Sequence, residues 1–389
     1  MSCYVSSNQN RFYAAVEPAY GYVAPVTAAN RLPAIRLEAR QEMERIERKD
    51  KTGGRTFGGI PSGVRRRTSF ELTTYMTEWP PAVTAPGYGP LFLAVFGGEA
   101  QHFSGGTVSS LNGTQLRFGS THGLSPGQAV CCENEIRFVS VVVDSQTVQL
   151  NAPFTGAADP GAPVERTLTY FPGNSLRSAS IFDYWSPRSS VHRILAGAAV
   201  NRMRVSINAD LHNFTFSGAA QDLLDSASFE AGQGGQNEFP EEPPLVAQSY
   251  SVVPGNLGQA WLGNIAEQFF TVTGAEIVLD NNLDMRSREF GLSVPQCIAP
   301  GVRSVIANFN LYEKPDEATK VLYQAARQRS PVSVMFQLGI QTGQICGVYL
   351  PSVVPEVPEF ADDETRLEWR FRNCRAQGMI DDEIFLAFC

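Results

Sequence analysis

Charged and apolar side chains alternate along a seven-residue stretch near the C-terminus. The alternating residues are Arg366, Glu368, Arg370 and Arg372 on one side and Leu367, Trp369 and Phe371 on the other. A period of two cannot place apolar residues along one stripe of a helix, so the stretch is predicted to be an amphipathic strand. One face of this strand should be buried, and the other should meet water or a partner.

The same alternation predicts two long strands near the N-terminus. In the first, Ile35, Leu37, Ala39, Gln41 and Met43 alternate with Arg36, Glu38, Arg40, Glu42 and Glu44. The second runs from Val64 to Met76, with Arg66 as the charged exception on its more apolar side. The intervening residues 46–62 are rich in glycine and cations and are predicted to form a long, mobile hairpin loop. Because such long connections are uncommon in compact domains, this one is expected to have a function.

The remaining pattern predicts a mainly β protein. Short strands and turn signals at close spacing over 105–172 predict a small β-barrel or sandwich inserted into a core made of 1–104 and 173–389. Residues 80–98 predict proline-rich turns followed by one or two helical turns, and residues 217–244 a flexible surface loop. A helix starting at Pro315 should face inward with Ala318, Val321, Leu322 and Ala325, against a hairpin that begins at Val332. The expected fold is an antiparallel β-sandwich or barrel with one flanking α-helix and a small inserted β-domain.

Composition narrows the functional classes. The chain has 389 residues, 43% of them hydrophobic, and a net charge of −8, which argues against a general nucleic-acid binder because phosphate attraction needs clustered cations. No apolar run has the length of a membrane span and the first residues do not resemble a secretion signal, so folding in the cytoplasm is expected. The seven cysteines show no CxxC spacing and are expected to be free thiols. Cys131 and Cys132 should point to opposite faces of a strand, which disfavours a shared metal.

No pattern of catalytic residues stands out, and the chain is not expected to be an enzyme or to need a cofactor or metal. The nucleophile elbow, phosphate loop, dinucleotide fingerprint and HExxH motif do not occur in the sequence. The four histidines lack ligand spacing, and the carboxylate pairs Glu241-Glu242 and Asp362-Asp363 lie among loop residues. Cations and one aromatic residue do cluster around the long loop: Arg48, Lys49, Lys51, Arg55, Phe57, Arg65, Arg66 and Arg67. This cluster is equally consistent with an interface to an acidic neighbouring copy and with simple solvation.

These strands and turns resemble the tail tube proteins of long-tailed bacteriophages over residues 10–100 and 175–389. The N-terminal resemblance lies in LEARQEME, SFELTTYM and APGYGPLFLAVFG. The C-terminal resemblance lies in TGAEIVLDNNLDMRSREFGL, APGVRSVIANFNLYE, SPVSVMFQLG and GQICGVYLPSVV. The segment 105–172 departs from the minimal plan of this family.

The resemblance implies a virion protein assembled in the host cytoplasm. Six copies would form a ring, stacked rings would form a tube, and genomic DNA would pass through the channel without specific binding or any contact with a membrane. The implied partners are other copies, the tape measure protein, the terminator and the baseplate. Long hairpins would join into a barrel around the channel, with Glu38, Glu42 and Glu44 as an acidic lining. The loop 46–62 would contact the next ring, and the inserted domain would lie on the outer surface.

Two alternatives stay open at this point. Another phage tail component, such as a terminator or baseplate protein, would share the surface chemistry but form a single ring. A carbohydrate-binding β-sandwich would use aromatic platforms, for which Trp79, Tyr184, Trp185 and Trp261 are the candidates.

Overall fold

The computed structural model of the protein consists mainly of antiparallel β-strands, which hold 45% of the residues against 8% in helices. It describes residues 4–46, 49–51, 53–57, 59, 61, 63–80, 83–156, 158–246, 251–286, 288–362 and 365–389. One group of strands closes into a six-stranded barrel, and the others form extended sheets. The predicted fold class, mainly β with antiparallel sheets and a barrel, is confirmed.

The elements follow the chain in four groups. The first part contains β1 (Arg11–Val16), β2 (Arg31–Leu32), β3 (Ala34–Met43), β4 (Arg66–Tyr75), α1 (Gly89–Phe96) and β5 (Gln101–Phe103). The barrel contains β6 (Gly106–Asn112), β7 (Gln115–Phe118), β8 (Ala129–Cys132), β9 (Glu135–Val142), β10 (Thr147–Leu150) and β11 (Pro163–Glu165). Next come β12 (Thr167–Tyr170), β13 (Ala179–Tyr184), β14 (Arg193–Ile207), β15 (Asn213–Ala220), β16 (Asp222–Asp225), β17 (Gly258–Gly263), β18 (Glu267–Gln268) and β19 (Val272–Asp280). The last part contains β20 (Asp284–Met285), β21 (Ile298–Ala299), β22 (Ser304–Tyr312), α2 (Glu317–Gln328), β23 (Val332–Leu338), β24 (Cys346–Val354), β25 (Glu359–Ala361), β26 (Glu368–Ala376) and β27 (Phe385–Phe388).

A long sheet of eight strands forms one layer of the sandwich, and we call it the long sheet. Its order by hydrogen bonding is β3–β4–β15–β14–β19–β22–β26–β25. One face of the long sheet is apolar across its width. A single row of paired, mostly buried positions on that face runs through Leu37, Leu72, Phe216, Met203, Leu279 and Val305.

The second layer, which we call the second sheet, has the order β5–β12–β27–β24–β23–β17–β18. Its central strands are buried on both faces. In β27, Leu386 and Phe388 pack in the core between the two sheets, while Phe385 and Ala387 pack in a separate cluster with barrel residues. Burial on both faces explains why this strand is a continuous apolar run instead of an alternating one.

Helix α1 fills the space between the two sheets. Phe92 of α1 lies 5.1 Å from Phe214 of the long sheet and 5.4 Å from Phe388 of the second sheet, measured between ring centroids. Both are edge-to-face contacts, the geometry that aromatic quadrupoles favour. The helix ends at Gly97, which has a left-handed φ of 79°. The sequence predicted this short helix within 80–98.

A third sheet, β2–β1–β13–β14–β16, shares its longest strand with the long sheet. Strand β14 has 15 residues and bends at Gly197, whose φ is 64°. A Cβ at this position would lie 2.7 Å from Gln221 Cβ, so the bend requires glycine.

The prediction of a flexible loop over 217–244 is wrong. Strands β15 and β16 contain the first part of this segment, and the rest packs on the third sheet. Val23 N donates to Gly234 O at 2.8 Å, and Tyr184 Oη donates to Pro240 O at 3.0 Å. Arg11 forms an ion pair with Glu242.

Helix α2 differs in detail from its prediction. It begins after Asp316, whose side chain accepts a hydrogen bond from Thr319 N, so Pro315 precedes the cap instead of occupying the first turn. Leu322 and Ala325 are buried as expected, but Val321 is 41% exposed. Thr319 and Ala326 complete the buried face in its place.

The expectation that all cysteines are free thiols is wrong, because Cys131 and Cys389 form a disulfide across 258 residues of sequence. Cys131 and Cys132 do point in opposite directions, the first into the cluster shared with the second sheet and the second into the barrel core. Cys132, Cys297, Cys346 and Cys374 are free. Cys3 lies outside the described residues. No helix among the described residues is both long and apolar enough to cross a membrane.

Candidate functional surface

The face of the long sheet opposite the core is polar across six strands, and we call it the polar face. One paired row on it runs through Glu38, Glu71, Ser217, Arg202, Asp280 and Ser304. Every one of these side chains is exposed or half-buried. Because paired residues of neighbouring strands share a face, the row shows that alternation stays in phase from β3 to β22.

Positive and negative charges are balanced on the polar face by ion pairs. Among the described residues, five pairs join side chains of the same strand or of neighbouring strands: Arg36–Glu38, Arg40–Glu42, Arg202–Asp280, Arg204–Glu276 and Arg370–Glu368. Thr273 donates a hydrogen bond to Glu368 at 2.6 Å and, together with Arg370, holds the pKa of that carboxyl below its usual value. The face therefore carries alternating charges of both signs.

The three carboxylates proposed as an acidic lining occupy different surroundings. Glu38 and Glu42 are on the polar face with exposed side chains, and each has an arginine of β3 as its ion-pair partner. Glu44 lies just beyond the end of β3, where its carboxylate is 3.8 Å from Arg65. Their role as a channel lining stays a prediction.

Strand β3 is an open edge of the long sheet. Among the described residues, its ten residues pair with β4 alone. Glu44 N donates to Arg65 O at 2.8 Å, which fixes the hydrogen-bonded positions of the hairpin. In an antiparallel pair these positions alternate, so Leu37, Ala39, Gln41 and Met43 direct their N–H and C=O groups away from β4. At the other end of the long sheet, β26 pairs with the three-residue strand β25 along one part and with Val353 and Val354 of β24 along another.

The three consecutive arginines at the start of β4 lie in different surroundings, because successive side chains of a strand point to opposite faces. Arg66 lies toward the core side and pairs with Asp222 at 3.0 Å, which explains a charged residue among apolar positions. Arg67 is exposed on the other face, directly opposite Glu42. Arg65, Arg67 and Arg288 line a cavity of about 250 Å³ together with Glu42 and Glu44. The cluster is therefore partly neutralised by carboxylates of the same chain.

The loop between β3 and β4 presents its remaining candidates to solvent. Lys49, Lys51 and Arg55 are exposed, and the side chain of Phe57 is 68% exposed. Arg48 lies outside the described residues. An exposed phenylalanine among cations is a feature of interfaces.

The inserted barrel lies on the opposite side of the molecule from the polar face. It packs on the outer surface of the second sheet, where Phe138 stacks on Tyr349 with ring centroids 5.3 Å apart. A Cβ at Gly347 would lie 2.8 Å from Ile136, so glycine allows the barrel to approach this closely. The layers follow in the order polar face, long sheet, core, second sheet and barrel.

A buried arginine joins the barrel to the second sheet. Arg137 is fully buried, forms an ion pair with Glu135, and donates to Gln259 Oε1 at 3.0 Å. Its guanidinium carbon lies 4.7 Å from the ring centroid of Trp261. Burial lowers the pKa of Arg137 to about 10, and Glu135 opposes this shift, so the group remains charged at neutral pH.

The aromatic residues proposed as sugar platforms are largely unavailable to a ligand. Trp79, Tyr184 and Trp261 are buried, and Trp185 is half-buried. The hydroxyl of Tyr184 donates a hydrogen bond to Pro240 O. The guanidinium carbon of Arg166 lies 3.9 Å from the ring centroid of Trp79 and covers that ring. Three of the four candidates thus have no flat, exposed ring on which a sugar could stack.

Sequence reasoning missed much of the polar face. Arg202, Arg204, Glu276 and Asp280 were not singled out from the sequence. Alternation within each strand was the available signal, but only the pairing register shows that these residues share a surface with Glu38. Compared with known proteins, the chain matches no protein-family model and no curated protein sequence.

Proposed function

We propose that this chain is the tail tube subunit of a long-tailed bacteriophage. In this proposal six copies form a ring, and stacked rings form a tube through which genomic DNA passes. The observation that carries the proposal is the open ten-residue edge of β3 at one end of a sheet whose outer face is polar from strand to strand. The resemblance of the sequence to tail tube proteins supplies the identity of the assembly.

An open edge of this length is a reason to expect assembly. Its outward N–H and C=O groups can form a ladder with a strand from another copy. The two ends of the long sheet are different strands, β3 and β25, so copies can join head to tail, which closes a ring when the rotation between them permits. The polar face would then continue from copy to copy around a wet channel.

The balanced charges suit a channel that conducts DNA without binding it. A protein that grips DNA neutralises phosphates with unpaired Lys and Arg side chains. On the polar face, Arg202 is 2.9 Å from Asp280 and Arg204 is 3.0 Å from Glu276. These arginines are therefore less available to phosphates. Glu38 and Glu42 remain candidates for the acidic lining of the channel.

The other expected roles fit the same arrangement. If the polar face lined the channel, the barrel would lie on the outside of the tube, because it packs on the far side of the second sheet. The loop 46–62 would contact the next ring through Phe57 and its exposed cations. The proposed location is the virion tail, and the tape measure protein, the terminator and the baseplate are the proposed partners.

The experiment is negative-stain electron microscopy of the purified chain and of two variants at one position. The wild type should form long hollow tubes. Ala39→Pro should stay folded but fail to form tubes, because it removes an N–H that points to the open edge and leaves the bonds to β4 in place. Ala39→Ser keeps that N–H and should assemble normally.

Thermal unfolding of the unassembled Ala39→Pro protein shows whether the variant is folded. Tubes from Ala39→Pro as abundant as those of the wild type would rule out pairing at this edge. Isolated rings from the wild type would instead identify a terminator. A wild-type protein that stays monomeric at high concentration and under assembly-promoting salt would contradict the proposal.

A further inference from the structure

The Cys131–Cys389 disulfide joins two parts of the chain that are already held together without it. Cys131 belongs to β8 of the barrel, and Cys389 directly follows β27 of the second sheet. Both are buried, at 0% and 3% exposure, in the apolar cluster between barrel and second sheet.

Each cysteine is positioned by backbone hydrogen bonds that do not depend on the disulfide. Cys389 N donates to Ile345 O at 3.0 Å, and Cys389 O accepts from Gly343 N at 3.0 Å. Cys131 pairs with Ile136 of β9 on one side and with Glu165 of β11 on the other. The two thiols would therefore face each other in a fully reduced chain.

The contacts around the pair also hold the barrel in place without it. Ile136 N donates to Gln337 Oε1 at 2.9 Å, and Ala129 N donates to Thr169 Oγ1 at 3.0 Å. Both bonds join barrel residues to residues outside the barrel. These hydrogen bonds can hold the barrel against the second sheet without a covalent link.

We propose that Cys131 and Cys389 form a redox lock, which closes after the chain has folded and fixes the barrel to the second sheet. In a reducing cytoplasm the pair would remain as thiols. On exposure to a peroxide, one thiolate attacks an oxygen, releases hydroxide and becomes a sulfenic acid, and the other thiol then displaces water from that sulfur. The two sulfurs lose two electrons in total, and the peroxide is reduced to water. This inference concerns the single chain and does not depend on tube formation.

The neighbouring Cys132 provides a matched control. It is as deeply buried as Cys131 and adjacent to it in β8, but it faces the barrel core. Because it points into the barrel core, Cys132 takes no part in the bond between Cys131 and Cys389. Cys131→Ala and Cys132→Ala therefore remove similar volumes, and only the first removes the lock.

The experiment compares the wild type and both variants, purified under reducing conditions and then treated with hydrogen peroxide or left reduced. The oxidised wild type should lose about 2 Da in intact mass and yield one peptide pair linked through Cys131 and Cys389. Its Tm should rise by about 5 °C over the reduced form, because the link closes a very long loop. Cys132→Ala should show the same rise, and Cys131→Ala should show none.

Three results would overturn the proposal. One is full reactivity of all seven cysteines in the oxidised, denatured wild type. Another is an oxidation-dependent rise in Tm that persists in Cys131→Ala. The third is failure of the reduced wild type to fold, since the bond would then be part of folding and not a later lock. Circular dichroism of the reduced wild type and of Cys389→Ala shows whether the chain folds without the disulfide, which tests this third result.

Discussion

At the scale of single residues, Arg137 shows how a buried charge is accommodated between two layers. Its guanidinium donates to Glu135, to Gln259 and to Pro153 O at 2.8 Å, so its donors have partners despite full burial. Glu135 in turn accepts from Thr155 N at 3.1 Å. Burying an ion is tolerated when its hydrogen bonds are satisfied in this way, and removing one partner leaves the other without compensation.

Replacement of Arg137 by methionine is therefore expected to destabilise the protein. Arg137→Met should lower the free energy of unfolding by about 3 kcal/mol, because the Glu135 carboxylate stays buried after its counter-ion is lost. The double variant Arg137→Met with Glu135→Gln removes that charge and should regain at least about 1 kcal/mol. Urea unfolding, monitored by tryptophan fluorescence, measures both changes in stability, since Trp261 lies against the guanidinium. A double variant less stable than Arg137→Met would contradict this account.

At the scale of elements, β3 and α2 are determined largely by their own sequences. The alternation in β3 correctly identified Glu38, Arg40 and Glu42 as one exposed side. In α2, Glu317 in the first turn and Arg327 in the last turn complement the helix dipole, which favours a helix over these residues. The detailed face of α2 depended on which neighbours it meets, so Val321 was misplaced.

The cap of α2 gives a pH-dependent prediction. Hydrogen bonds from Thr319 hold the pKa of Asp316 below its usual value. A carboxyl with a depressed pKa stabilises the folded state above its unfolded pKa of about 4, and this contribution is lost as pH falls through the lower folded value. Asp316→Ala should cost about 1 kcal/mol at pH 7, and the difference from wild type should shrink below about pH 4.

Asp316→Asn is the matched control for this measurement. Its amide oxygen can accept the same hydrogen bond from Thr319 N, so it should retain most of the stability while losing the pH dependence. Thermal unfolding between pH 3 and 7 at about ten-millimolar buffer measures all three proteins. A constant difference between Asp316→Ala and wild type over this range would show that ionisation of Asp316 does not contribute.

At the scale of the whole molecule, the barrel is a structural layer as well as an insertion. It enters between β5 and β12, which pair directly with Phe103 opposite Thr167, so the sandwich would retain a hairpin without it. Yet the barrel covers an apolar surface of the second sheet. The covered residues include Trp261, Met335, Tyr349 and Phe385.

Deletion of the barrel should accordingly produce a folded but self-associating protein. Joining Phe103 to Thr167 through an Asn-Gly turn preserves the hairpin and exposes the covered side chains. Size-exclusion chromatography should show aggregates, and a hydrophobic dye should bind. Adding Met335→Ser and Tyr349→Ser to the deletion should reduce both effects. A monodisperse deletion protein with wild-type Tm would show that the barrel is dispensable for the second sheet.

The sequence alone determined the class of the fold and the two-faced character of its strands. Side chains alternate along any strand, so the positions of Leu37, Glu38 and Phe371 relative to the core follow from local geometry. The apolar segment before Gly97 also predicted a short helix, and that helix ends at this glycine in the left-handed conformation. These inferences needed no knowledge of distant contacts.

Tertiary structure alone decided which residues share a surface and which meet across the sequence. The register that aligns Glu38 with Arg202 and Asp280, and the docking that brings Cys131 to Cys389, depend on pairing between distant segments. The ordered segment ending near Glu242 depends on contacts with the third sheet in the same way. Composition predicted a flexible loop there, but packing energy gained from distant residues outweighed local preference. Local patterns specify which way a side chain faces, and only the folded chain specifies what lies opposite it.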